Sequence, residues 1–127
     1  MKRRNFIQVL VGGLGGALAT RHVHARRDAV LLQESQVAGF EHYRGDAVWP
    51  ALQVGDKLSL VRESANAHDS DAVAVYCGGD QLGYVPQLEN RAIAQMLDRG
   101  ERLEARITKL DSDGHPWHRV RMSISLA

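Results

Sequence analysis

Residue types that can ligate metals or hold ligands fall in three short stretches of this chain: His42-Tyr43, Asn66-Ala67-His68-Asp69-Ser70-Asp71 and His115-Pro116-Trp117-His118. His42, His68, Asp69, Asp71, His115 and His118 could in principle hold a cation. A zinc site, however, is built on close pairs such as Cys-x-x-Cys or His-Glu-x-x-His, and neither spacing occurs. No metal or other cofactor is expected. Cys77 is the single cysteine, so no intrachain disulfide can form. It ends the apolar run Val73-Ala74-Val75-Tyr76-Cys77 with no base beside it, which predicts a buried, inert thiol rather than a nucleophile. The glycine-rich Gly12-Gly13-Leu14-Gly15-Gly16 lacks the lysine that completes a phosphate loop. These absences point to a binding protein and not an enzyme, and a metal-dependent hydrolase is the least supported class.

The same residues also have structural roles. Asn, Asp and Ser favour turns through side-chain-to-backbone hydrogen bonds, so Asn66 and Asp69 either shape the turn before a strand at Ala72 or face a ligand. Tyr43 and Trp117 either pack on the wall of the fold or present a ring face. Arg62 is either a basic neighbour of a site or one half of a surface ion pair worth under about 1 kcal/mol.

Charge is unevenly distributed. The net charge is +1, yet no acid precedes Asp28, while Lys2, Arg3, Arg4 and Arg21 all lie before it. From Arg26 onward twelve Lys and Arg stand against fifteen Asp and Glu, a net of −3. Coating nucleic acid non-specifically requires many basic contacts to phosphates, so any nucleic-acid site here must be small and local. The start, Arg3-Arg4-Asn5-Phe6-Ile7 followed by an apolar run from Val9 to Ala19, resembles a twin-arginine export signal. The run is too short and glycine-rich for a membrane anchor, which takes about 20 apolar residues. Residues 1–25 are therefore read as a signal peptide cut after Ala25, with Ala19 as the alternative. The mature chain is expected outside the cytoplasm, periplasmic or secreted, as a monomer. No cysteine follows the run to carry a lipid.

The rest is enough for one domain, residues 26–127, and at 44% hydrophobic and 24% charged the chain should fold. A first strand is expected over Val30 to Phe40, then a connection with one helical turn over Gly45 to Asp56. Strands follow over Lys57–Glu63 and Ala72–Cys77. The turn Gly78-Gly79-Asp80 leads into a hairpin partner, Gln81–Val85, that Pro86 ends. Asn90 to Arg99 is the one helix, with Ile93, Met96 and Leu97 at helical spacing, Asn90 as N-cap and Gly100 as stop. Leu103–Thr108 and Val120–Leu126 alternate with period two, placing Ile107 and Met122 inward. A mostly β fold with one short helix implies a small barrel or curved sheet.

An ordered set of blocks resembles the HIRAN family over about residues 35 to 126. They are Val37-Ala38-Gly39 with Tyr43 and Gly45; Gly55 through Glu63; Asn66 through Val75; Leu82-Gly83-Tyr84-Val85-Pro86; and Asn90 opening the helix. The resemblance implies an OB-like modified β-barrel and binding of single-stranded DNA with capture of a free 3′ end. It further implies that His42 and Tyr43 stand where relatives carry two aromatics. Asp69 corresponds to the carboxylate of the Asn-x-x-Asp turn, and Trp117 to an aromatic near the last strand. Glu41 replaces a basic residue. In this frame the nucleic-acid-binding candidates are His42, Tyr43, Arg62, Asn66, Asp69 and Trp117. Export favours another reading, an interaction domain whose groove takes a peptide, glycan or envelope partner.

Overall fold

The computed structural model describes residues 29–113, 115 and 118–127. The expected leader, residues 1–25, lies outside them, as does Trp117. Six strands are present: β1 (Val30–Gln36), β2 (Lys57–Arg62), β3 (Val73–Cys77), β4 (Asp80–Tyr84), β5 (Leu103–Leu110) and β6 (Val120–Leu126). Among the described residues, two α-helices, α1 (Gly45–Val48) and α2 (Arg91–Asp98), and three single 3-10 turns connect them. All pairings are antiparallel, in the order β1-β6-β5-β2-β3-β4.

The two ends of this order meet. Just past β1, the Ala38 N–H donates to the Tyr84 carbonyl at 2.8 Å and the Tyr84 N–H to the Ala38 carbonyl at 2.9 Å. This single bridge brings the two ends of the order together and curls the sheet into a small barrel. The approach is so close that a Cβ on Gly83 (φ 155) would sit 2.1 Å from the Ala38 oxygen.

The barrel interior follows from the alternation of the strands. Ala105 and Ile107 on β5 and Val120, Met122 and Ile124 on β6 are all buried, with Ile107 opposite Met122 as their spacing requires. Leu58, Val73, Val75, Leu82 and Ile93 complete the same cluster. α2 turns Ile93 and Ala94 inward and stops before Gly100, as its periodicity predicts.

Three local expectations are corrected. The first strand ends at Gln36, not Phe40, because Gly39 takes a left-handed conformation (φ 74) and turns the chain into the 3-10 turn Phe40–His42. Phe40 leaves the strand but fills the core, fully buried against Gly45 and edge-on to Trp49 at 5.8 Å. Asn90 occupies the N-cap position but makes no capping bond; its side chain points elsewhere, as described below. Cys77 is half-buried, not buried, and its thiol is pushed up by burial first, then by Asp56 and Asp80. The thiolate is thus disfavoured, consistent with an inert cysteine.

Candidate nucleic-acid interface

A groove of about 260 Å³ opens where the closing bridge, the turn after β2 and the end of β4 meet. His42, Tyr43, Asn66 and Asp69, four of the sequence candidates, line it together with His68 and Tyr84. Each is placed by an identifiable local interaction. The 3-10 turn is closed by the His42 N–H on the Gly39 carbonyl (2.9 Å), and the Arg44 N–H donates to the Gln81 carbonyl (2.9 Å). Those two bonds lay the intervening Tyr43 against β4, where its ring meets Tyr84 edge-on at 5.6 Å. Tyr43 remains 42% exposed, which leaves ring surface free for a ligand.

The Asn66-to-Asp71 turn is held as its composition predicts. Asn66 Oδ1 accepts from the N–H groups of His68 (2.8 Å) and Asp69 (3.1 Å), and Asp69 Oδ1 accepts from the Asp71 N–H (2.9 Å). These are Asx-type bonds. The turn is also tied to distant parts of the chain. The Asn66 amide donates to Glu63 Oε1 at 3.1 Å, and the same oxygen accepts from the Tyr84 hydroxyl at 2.7 Å. Burial and this bond push the Tyr84 phenol up to about 12. The amide of Asn90 donates to Asp69 Oδ2 at 2.7 Å. A carboxylate offers about four lone-pair sites, so with one bond to each oxygen Asp69 retains capacity to accept from a ligand hydroxyl.

Arg62 is not among the residues facing the groove. Its guanidinium donates to Asp98 (3.0 and 3.3 Å) and to the Ala72 carbonyl (3.1 Å), with Asp71 at 3.9 Å. It serves as an ion-pairing residue between β2 and α2. Glu41 also lies off the groove, with Oε2 3.9 Å from His42 Nε2. Among the described residues lining the groove there is no Lys or Arg. Arg44 and Arg91 are engaged with Asp80 and Asp71 at 3.5 and 3.8 Å. Nor do three His, Cys, Asp or Glu side chains converge as a metal site among the described residues.

A second, larger hollow of about 540 Å³ shares the wall formed by Ala38, Gly39, His42 and Gln87. His118, the neighbour of Trp117, lines it, as do Leu88 and Glu89. The 3-10 turn Gln87–Glu89 is pinned to β1: buried Ser35 donates to Glu89 Oε1 (2.8 Å) and Gln33 to the Glu89 carbonyl (3.0 Å). Leu88 projects from it almost fully exposed.

The HIRAN domain model matches residues 30–127. This chain belongs to the HIRAN domain family. HIRAN domains are generally DNA-binding modules. In fold, this HIRAN domain is similar to a crystal structure of a protein from Lactobacillus plantarum, with a TM-score of 0.69 and 29% identity over 77% of this chain and 94% of that one. It is also similar to the crystal structure of the HIRAN domain of human HLTF, with a TM-score of 0.62 and 19% identity over 77% of this chain and 78% of that one. Among curated proteins no sequence matches the chain.

Sequence reasoning did not assign His68, Tyr84, Glu63 or Asn90 to this HIRAN groove. His68 was legible only as a candidate metal ligand, although its place inside the Asn66–Asp69 turn marks it as facing the same way. Tyr84 was legible as a half-buried strand residue, not as part of a groove wall. The Glu63 and Asn90 contacts join residues 21 positions apart, and no local signal announces them.

Proposed function

We propose that this protein is an exported, non-enzymatic module that holds the 3′ end of single-stranded DNA in the groove between Tyr43 and the Asn66–Asp69 turn. The observation that carries the reading is that the Asp69 carboxylate, fixed by Asn90 and the Asp71 N–H, lines the same groove as the partly exposed Tyr43. A strand end presents two features to such a site. Its terminal base stacks on an aromatic face, and its terminal hydroxyl donates to an acceptor. Tyr43 supplies the first and Asp69 the second, with His42 beside them. A terminal phosphate in place of the hydroxyl would meet the carboxylate as a like charge.

The test is titration of the full chain with a 3′-hydroxyl and a 3′-phosphate oligomer at low salt. The hydroxyl form should bind more tightly. Tyr43→Ala should weaken binding roughly ten- to hundredfold, since stacking contributes about 1–3 kcal/mol per base. Asp69→Ala should remove the preference for the hydroxyl while leaving stacking in place. Failure of both oligomers to bind would abandon the reading.

A second reading is favoured by one observation. The larger hollow is flanked by Leu88, whose side chain is 99% exposed. An exported interaction domain with a peptide or envelope partner would use that residue as an anchor. DNA binding unaffected by Leu88→Ser, with no envelope partner recovered, counts against it.

A further inference from the structure

The two hollows adjoin through Ala38, Gly39, His42 and Gln87, and histidines line both parts of this trough. His68 lines the first hollow, His42 the shared wall and His118 the second. All three are exposed. The charged residues facing the same trough are two carboxylates, Asp69 in the first hollow and Glu89 in the second. Among the described lining residues there is no Lys or Arg. The sign of the trough therefore depends on its imidazoles. When they are neutral the two carboxylates leave it negative, and when all three are protonated it becomes positive.

We propose that protonation of His42, His68 and His118 converts this trough into a track for the phosphates of a bound DNA strand, so that binding strengthens as pH falls from about 8 to about 5.5. The inference rests on the reading of the groove as a DNA site and adds its regulation. Histidine is the side chain whose charge changes in this interval. A strand leaving the Asp69 end through the second hollow meets three imidazoles, His68, His42 and His118, available to its phosphates. Carboxylates stand near each of these imidazoles. Glu41 lies 3.9 Å from His42, and Asp69 follows His68 in the turn. Glu89 lies across from His118 in the second hollow. The Tyr84 hydroxyl, pushed up to about 12, carries no charge in this range. The opposing cations are the His115 ring, 6.4 Å from His118, with Arg119 next to it in sequence and Arg44 two residues from His42, the two arginines being engaged by Asp46 and Asp80.

The experiment is fluorescence anisotropy of the full chain with a 3′-hydroxyl thymine oligomer, whose bases do not titrate in this interval, at about pH 8 and about pH 5.5 over a series of salt concentrations. The lower limit stays above the ordinary carboxylate range. Affinity should rise roughly tenfold or more at the lower pH. The slope of log K against log salt should steepen toward about −2, three phosphate contacts at about −0.7 each. The variant H42Q/H68Q/H118Q, its fold checked by thermal melting, should lose the pH ratio and the added salt slope. Equal affinity and slope at both pH values would overturn this inference and leave DNA binding standing. A pH ratio that survives in the triple variant would overturn it as well. Absence of binding at both pH values would overturn the DNA reading itself, and this inference with it.

Discussion

The side-chain amide of Asn90, at the entrance to α2, donates a 2.7 Å hydrogen bond to Oδ2 of Asp69 in the turn before β3. Asn90 is only 2% exposed, so this bond fixes one carboxylate oxygen from behind and leaves the groove side of Asp69 open. The side chain makes this bond through its amide N–H and makes no capping bond to α2. Asn90→Ala should destabilise the protein by about 1–3 kcal/mol, the range for a buried, charge-assisted bond. The same variant should reduce discrimination between 3′-hydroxyl and 3′-phosphate oligomers, with the Tyr43 contribution retained. Urea denaturation and the two titrations measure these effects; unchanged stability would show that the bond contributes nothing.

The bridge between Ala38 and Tyr84 closes the barrel and forms the groove floor. Gly83→Ala would place a methyl on the Ala38 oxygen. The bridge must open, and a loss of more than about 2 kcal/mol is expected. Gly79→Ala is the control, because a Cβ there meets nothing within 4 Å. Its effect should stay within about 0.5 kcal/mol. Equal effects of the two substitutions would mean that the bridge is dispensable.

Ile107 and Met122 face each other inside the barrel, at 1% and 0% exposure. Aspartate at either position buries a charge with no partner and should unfold the domain, a cost of several kcal/mol. Circular dichroism reports this directly, and a wild-type melting temperature for either variant would contradict the assigned faces.

Tyr84 should ionise only at strongly alkaline pH, since burial and its bond to Glu63 push it up to about 12. The raised value means the fold favours the neutral phenol. The associated stability is complete below the unfolded value near 10 and is lost as pH rises through about 12. Glu63→Gln should bring the ionisation down, because the carboxylate holds the phenol proton. Ultraviolet absorbance during alkaline titration follows it, and identical titration curves for the two proteins would remove Glu63 as a cause.

Export rests on Arg3-Arg4-Asn5-Phe6-Ile7 and on the acid-free stretch before Asp28. Replacing Arg3 and Arg4 by Lys should leave the precursor in the cytoplasm, because a twin-arginine receptor reads the guanidinium pair. Fractionation followed by immunoblotting measures it. Undiminished recovery of protein outside the cytoplasm would remove the twin-arginine reading.

What the sequence determined by itself is local and periodic. Alternation placed Ile107 and Met122 inward, and helical spacing turned Ile93 toward the core. Turn chemistry defined Asn66–Asp71, since an Asx bond spans only two or three residues. The ordered blocks named the family, and with it the curled β fold. Only the tertiary structure decided the destinations of long polar side chains. Arg62 has the composition of a groove cation, yet Asp98, 36 positions away, engages it. Asn90 reads as a cap, yet Asp69 takes its amide. Phe40 reads as the end of a strand, yet it turns into the core once Gly39 has redirected the chain. The convergence of His42, His68 and His118 on one trough is likewise invisible in the chain order. Local propensity acts over a few residues, whereas the partner of a charge or an amide is set by which strands close the barrel. That closure depends on a backbone contact between Ala38 and Tyr84 that no side-chain pattern encodes.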